Sequence, residues 1–160
     1  MKAQLTKEPG WKIVIKIKSG EIAAEEYISS VFDQIQQKNR TINAYNTLMK
    51  KRALQMAKRL DRRIRKGERV GELCGLGVAV KDNIWIKSFE TTCSSKALRG
   101  YMPPSTATVV QRIERADGIV LGKANMDEFA MGSKYPYNSC FGAVHNPPAP
   151  FPCVIVYGLC

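Results

Sequence analysis

Lys81 closes the stretch Gly75-Leu76-Gly77-Val78-Ala79-Val80-Lys81-Asp82-Asn83. An uncharged and partly β-branched run delivers this lysine to the end of a predicted strand. An ammonium there must reach water or give up its proton, because desolvation disfavours the charged form. A lysine of the second kind serves as a base. A lysine of the first kind lays its stem on apolar surface and keeps its head in water. The spacing is compatible with both.

Other chemically suggestive groups yield less. Asp127-Glu128 places two carboxylates side by side, yet adjacent residues on a helix do not face each other, so they do not share one substrate. Gly118-Ile119-Val120-Leu121-Gly122-Lys123 is one residue short of a phosphate loop and has Ala124 where a magnesium-binding hydroxyl would stand. It reads as a short strand, Gly118 to Leu121, ending in a turn. The cysteines at 74, 93, 140, 153 and 160 form no Cys-x-x-Cys pair, and His145 is the single histidine. That pattern lacks the ligand spacing of zinc modules and predicts reduced, packed thiols, Cys93 included.

The elements that must position these groups alternate between helix and strand. Ile28, Val31, Phe32 and Ile35 fall at i, i+3, i+4 and i+7, predicting a helix from about Ala23 to Lys38. Ala23 offers no capping side chain, and a lost cap costs about 1 kcal/mol. A second helix spans about Leu48 to Lys66, with Ala53, Ala57, Leu60 and Ile64 inward and Gly67 just past its end. Leu76 to Val80 is a strand, and Thr106 can cap a third helix to about Ala116. Such interleaving predicts an α/β layer fold.

Composition sets the outer bounds. The 160 residues are 44% apolar, which suits a globular domain, and no run of eighteen apolar residues is present. Lysines alternate with isoleucines before Gly20 without the continuous core of a signal peptide, so the cytoplasm is expected. The net charge is +11, with cations crowding Lys50 to Arg69. They form either a solvated helix face with cations near its C-terminus or a surface for RNA phosphates. No aromatics interleave them as a stacking platform would require.

Taken in order, the motifs resemble the amidase signature family. They are Val78-Ala79-Val80-Lys81-Asp82-Asn83, Thr91-Thr92-Cys93-Ser94-Ser95-Lys96, Asn125-Met126-Asp127-Glu128-Phe129-Ala130-Met131-Gly132-Ser133, Phe141-Gly142 and Asn146-Pro147. The wording is most similar to one branch, the A subunits of the amidotransferases that act on glutamyl-tRNA(Gln) or aspartyl-tRNA(Asn). The resemblance implies a large mixed sheet flanked by helices, of which this chain holds an incomplete, N-terminal part. It also implies amide hydrolysis by a serine–serine–lysine triad, with Lys81 as the lysine and Asp127-Glu128 at a helix start near the active site. No cofactor is implied in this chain. ATP and magnesium are expected in the partner B subunit, together with a C subunit. Glutamine is the substrate implied for the intact protein, and tRNA contact falls mainly to B.

The same resemblance predicts a Gly-Gly-Ser-Ser-Gly-Gly-Ser element beyond Asn146-Pro147, supplying the relay serine, with the nucleophile further on. Pro148 to Cys160 does not match it. Residues 1–147 are therefore expected to be amidase sequence and 148–160 a foreign tail, as after a frameshift, premature stop or gene-model error, leaving the chain inactive alone. The uncharged run Cys153 to Tyr157 is an aggregation hazard. The segment Lys134 to Cys140 is about one residue longer than the family pattern. A fragment of a small-amide amidase and a non-catalytic interaction module are the alternatives.

Overall fold

The computed structural model describes residues 5–132 and 138–145. The chain divides into two compact units. The first comprises Met1–Gln37, Leu48–Ala79 and Thr108–Gly122; the second comprises Lys38–Thr47, Val80–Ala107 and Lys123–Cys160. The expected boundary at 147/148 and the tail beyond it lie outside the described residues, as does most of the lengthened Lys134 to Cys140 segment.

In chain order the elements are α1 (Gly10–Lys18), α2 (Ala24–Ile42), β1 (Tyr45–Leu48), α3 (Lys50–Arg65), β2 (Gly77–Lys81), α4 (Thr108–Arg115) and β3 (Ile119–Ala124). Short 3-10 turns cover Lys96–Leu98 and Glu128–Ala130; Phe129 and Ala130 have left-handed backbone, so Asp127-Glu128 opens a turn and not the expected helix. The three strands form one sheet in the order β1-β3-β2, as an α/β fold requires.

Helix α1 has no predicted counterpart. Its lysine–isoleucine alternation has the look of a strand, yet Ile13 and Ile17 are buried while Trp11 and Ile15 are exposed. Residues four apart share a helix face, so the helix packs this pair inward. Helix α2 begins where predicted and runs past Lys38 to Ile42. Its missing local cap is supplied from another helix: Asp61 of α3 accepts the Ala24 and Glu25 N–H groups at 2.7 and 3.0 Å. A carboxylate is favoured there because free N–H groups and the helix dipole both present positive charge.

Helix α3 buries Ala53, Ala57 and Leu60 on one stripe. Gly67 (φ +69°) ends it, donating to the Ile64 carbonyl at 2.9 Å. Its cations divide into two sets. Arg52 pairs with Glu114 at 2.7 Å, Lys58 with Glu25 at 3.3 Å, and Arg63 with Asp117. Lys51, Arg59, Arg62 and Arg65 face solvent. Gly71 is required by close approach, since a Cβ there would sit 2.4 Å from the Ala116 carbonyl.

The strand predicted over Gly118 to Leu121 instead spans Ile119–Ala124, so Gly122 and Lys123 belong to the strand rather than to a turn. Residues Ile119 to Lys123 are buried, as a central strand demands. A lysine continues such a strand only when its charge is met inside the protein.

Replacing Asp61 by alanine removes the borrowed cap. Urea denaturation should then register a loss of about 1–2 kcal/mol; an unchanged midpoint would show that α2 does not rely on it.

Candidate active site

Lys81, Cys93 and Asp127-Glu128 fall in the second unit, whereas Cys74 and the cations from Lys50 to Arg69 fall in the first. Lys81 ends β2 half-buried, and among the described residues no hydrogen bond or ion pair engages its amine. The next residue, Asp82, is almost fully buried. Its carboxylate receives the Lys123 Nζ at 3.1 Å on one oxygen. The other oxygen accepts the Asn46 Nδ2 at 3.0 Å and a short hydrogen bond from the Thr92 hydroxyl. Its backbone is held as well, the N–H donating to the Ala124 carbonyl at 3.0 Å and the carbonyl accepting from Cys93 N–H at 3.3 Å. One carboxylate thus links β1, the end of β2, the following loop and β3.

Lys123 is wholly buried. Besides Asp82 it donates to the Thr91 hydroxyl at 2.9 Å and lies 3.5 Å from the Glu90 carbonyl. Burial pulls its pKa down from the ordinary lysine range, and the Asp82 charge pulls it back. Sequence reasoning misses this amine. The signal is present, because Val120-Leu121-Gly122-Lys123 brings a lysine to the end of an uncharged run much as Val78-Ala79-Val80-Lys81 does. Nothing in either run says which lysine finds a buried carboxylate.

Asn125 is the second node. Its Oδ1 accepts the hydroxyls of Ser94 at 3.1 Å and Ser139 at 2.6 Å, together with the Met126 N–H at 2.9 Å. Its Nδ2 donates to the Asn43 and Gly142 carbonyls, both at 3.1 Å. Asn43 in turn donates to the Phe141 and Ala143 carbonyls at 2.9 and 3.1 Å. The segment around Phe141-Gly142 is therefore clamped by amide side chains at its backbone.

Two left-handed pairs of non-glycine residues flank this node: Cys93 (φ +51°) with Ser94 (+54°), and Phe129 (+53°) with Ala130 (+59°). Such conformations persist only where neighbours over-determine them. The Phe129 N–H donates to the Cys93 carbonyl at 3.0 Å, coupling the pairs. Cys93 is half-buried, and its thiol is pushed above the ordinary range by burial and by the Asp82 charge. That favours the thiol over the nucleophilic thiolate, in keeping with packing. Cys74 is pushed further, to about 11, chiefly by burial.

Ser94 is no better placed as a nucleophile. Its Oγ accepts from Asn46 and from the Met126 N–H while donating to Asn125. Among the described residues no group of three His, Cys, Asp or Glu side chains could hold a metal ion, and no helix is long and apolar enough to cross a membrane.

A family model described as Amidase matches residues 26–150. The chain belongs to the amidase family. It is 44% identical over 131 residues to the A subunit of the glutamyl-tRNA(Gln) amidotransferase from Natranaerobius thermophilus, covering 82% of this chain and 26% of that protein. The chain thus spans about a quarter of the length of the curated relatives it matches. Among solved structures it is similar to a protein from a vestigial complex bearing on the origins of an s-triazine catabolic enzyme. There the TM-score is 0.85 at 32% identity, over 89% of this chain and 31% of that one. The peptide amidase of Stenotrophomonas maltophilia gives a TM-score of 0.81 at 28% identity, over 91% of this chain and 31% of that one. The amidase fold expected from the motifs is the fold this chain adopts over that part.

Asn125→Ala should cost about 1–3 kcal/mol, since several buried donors and acceptors lose their partner. Hydrogen exchange would check the geometry: the Phe141 amide, bonded to Ser139 Oγ at 3.1 Å, should exchange faster than in the parent chain. Unchanged protection there would show that Asn125 does not hold the segment.

Proposed function

We propose that this chain is the N-terminal portion of a glutamine-hydrolysing A subunit of a tRNA-dependent amidotransferase, and that Lys81 is its base. The observation that carries the reading is the 44% identity to the A subunit of a glutamyl-tRNA(Gln) amidotransferase, spread over most of this chain. Lys81 supports it from the structural side, standing at a strand end with an amine that no partner among the described residues engages. A base of this kind takes the proton of a serine hydroxyl through a relay serine, and backbone N–H groups stabilise the oxyanion. In this reading residues 1–147 are amidase sequence and 148–160 are not.

Those serines belong to a Gly-Gly-Ser-Ser-Gly-Gly-Ser element that this sequence does not contain. In the intact enzyme, ammonia released from glutamine passes to a B subunit, where ATP and magnesium activate a tRNA-linked glutamate or aspartate. A C subunit completes the assembly, in the cytoplasm. A second reading, an amidase for small amides, draws support from the likeness to a peptide amidase. The lower identity of that match ranks it behind.

The test compares two polypeptides. This chain alone should release no ammonia from glutamine. A full-length protein beginning with the same residues should release it, and Lys81→Ala should lower that rate by about 10²–10⁴-fold. Full activity in the Lys81→Ala protein would overturn the assignment.

A further inference from the structure

Helix α3 presents a face to solvent that the proposed mechanism does not use. At about 100° per residue, Lys51, Lys58, Arg59, Arg62, Arg65 and the capping Lys66 fall within an arc of about 120°. Gln55 is the one other residue in that arc, and every member is exposed. The arc runs about 21 Å along the axis. The buried stripe of Ala53, Ala57 and Leu60 lies on the opposite side. Lys58 pairs with Glu25 at 3.3 Å, whereas among the described residues no acidic side chain pairs with the other five cations.

Such a face opposes its own helix. Like charges three or four residues apart repel, and Arg62 stands at those spacings from Lys58, Arg59, Arg65 and Lys66. Cations suit the C-terminal end of the helix dipole, but only within its last turn. Lys51 stands in the first turn, where no acidic residue offsets it, and Lys58 and Arg59 stand mid-helix. A surface kept for solubility intersperses both signs. Here one sign is left without its complement, which a polyanion from outside would supply.

Three chemistries carry dense negative charge: an anionic membrane, an acidic protein and a nucleic acid. Membrane binding by a helix needs an exposed apolar face, and the apolar stripe of α3 is buried. Protein interfaces centre on aromatic or aliphatic anchors and are depleted of charge at their core; the arc holds no such anchor. Phosphodiester contacts need none, because counterion release drives them. Arg59, Arg62 and Arg65 supply the planar fork that suits phosphate oxygens. With no aromatic residue to stack bases, the contact is to the backbone and carries no sequence readout.

We infer that the exposed arc of α3 is a docking surface for the phosphate backbone of RNA. The choice of RNA rests on the proposed reading of this chain as part of a tRNA-dependent enzyme; the phosphate chemistry does not. The surface adds an RNA contact to the one expected of the B subunit.

Anisotropy of a labelled tRNA transcript, titrated with this chain across a KCl series, tests the inference, and circular dichroism establishes that each variant is folded. Each phosphate contact adds about 0.7–0.9 to the slope of log affinity against log salt. Arg59→Gln/Arg62→Gln/Arg65→Gln should flatten that slope by about 2–3 and weaken binding about tenfold or more near 0.1 M salt. Lys38→Gln/Lys87→Gln/Lys96→Gln removes the same charge from exposed cations outside α3 and should weaken binding less than about threefold. Gln55→Lys places a further cation in the arc and should steepen the slope by about 1.

No tRNA binding by the parent chain, or equal losses in the two triple variants, would overturn the inference, since net charge alone would then act. An unchanged slope in Gln55→Lys would do the same. Displacement of tRNA by poly-glutamate at equal charge would make an acidic protein the occupant and likewise overturn it. tRNA should bind at least as tightly as a DNA hairpin of equal length, and tighter binding of the hairpin would overturn the choice of RNA. No glutamine enters these titrations. They stand whether or not full-length Lys81→Ala protein proves active, so the two failures stay distinct.

Discussion

The ion pair between Lys123 and Asp82 is the constraint around which the second unit is arranged. Two charges without access to water are costly, and their mutual attraction compensates only with good geometry and further hydrogen bonds. Those bonds are present. Asp82 also accepts from Asn46 and Thr92, while Lys123 also donates to Thr91. The pair thereby ties β1, β2, β3 and the loop from Thr91 onward at one point, and Lys81 stands immediately beside it. Lys81, whose amine engages no partner among the described residues, gains a defined origin from a neighbour that has several.

From this anchor the remaining polar groups follow in order. Asn46 also donates to Ser94 at 3.0 Å, and Ser94 passes the network to Asn125. Asn125 and Asn43 then hold the backbone around Gly142. Neutral amides and hydroxyls, rather than further charges, carry the network outward. This limits the desolvation cost while keeping every step directional. The left-handed residues at 93–94 and 129–130 are bends that let the loops meet this network. Cys93 sits on one of them with a thiol that burial keeps protonated.

Much of the fold is legible in the chain, because helix periodicity survives in a single sequence. The stripes of α2 and α3, the glycine ending α3 and the strand before Lys81 can all be read from spacing. What escapes depends on partners distant along the chain. The Asp61 cap on α2 acts across 37 residues to Ala24, so Ala23 looks like a loss. Helix α1 is hidden because three isoleucines at alternate positions suit a strand until Ile13 and Ile17 find a core. Lys123 passes for a turn residue because its carboxylate lies 41 positions earlier, at Asp82. The proposed base, Lys81, is picked out by motif order, whereas the burial of Lys123 is not encoded in any local pattern.

The most direct measurement is a double-mutant cycle on Asp82 and Lys123, read by urea denaturation of Asp82→Asn, Lys123→Met and the combined variant. Breaking a buried pair from one side costs about 3–5 kcal/mol, while removing both charges costs far less. The account predicts strong coupling, with the combined variant more stable than Lys123→Met alone. Additive losses would contradict it, because the two side chains would then contribute independently and could not anchor the site together.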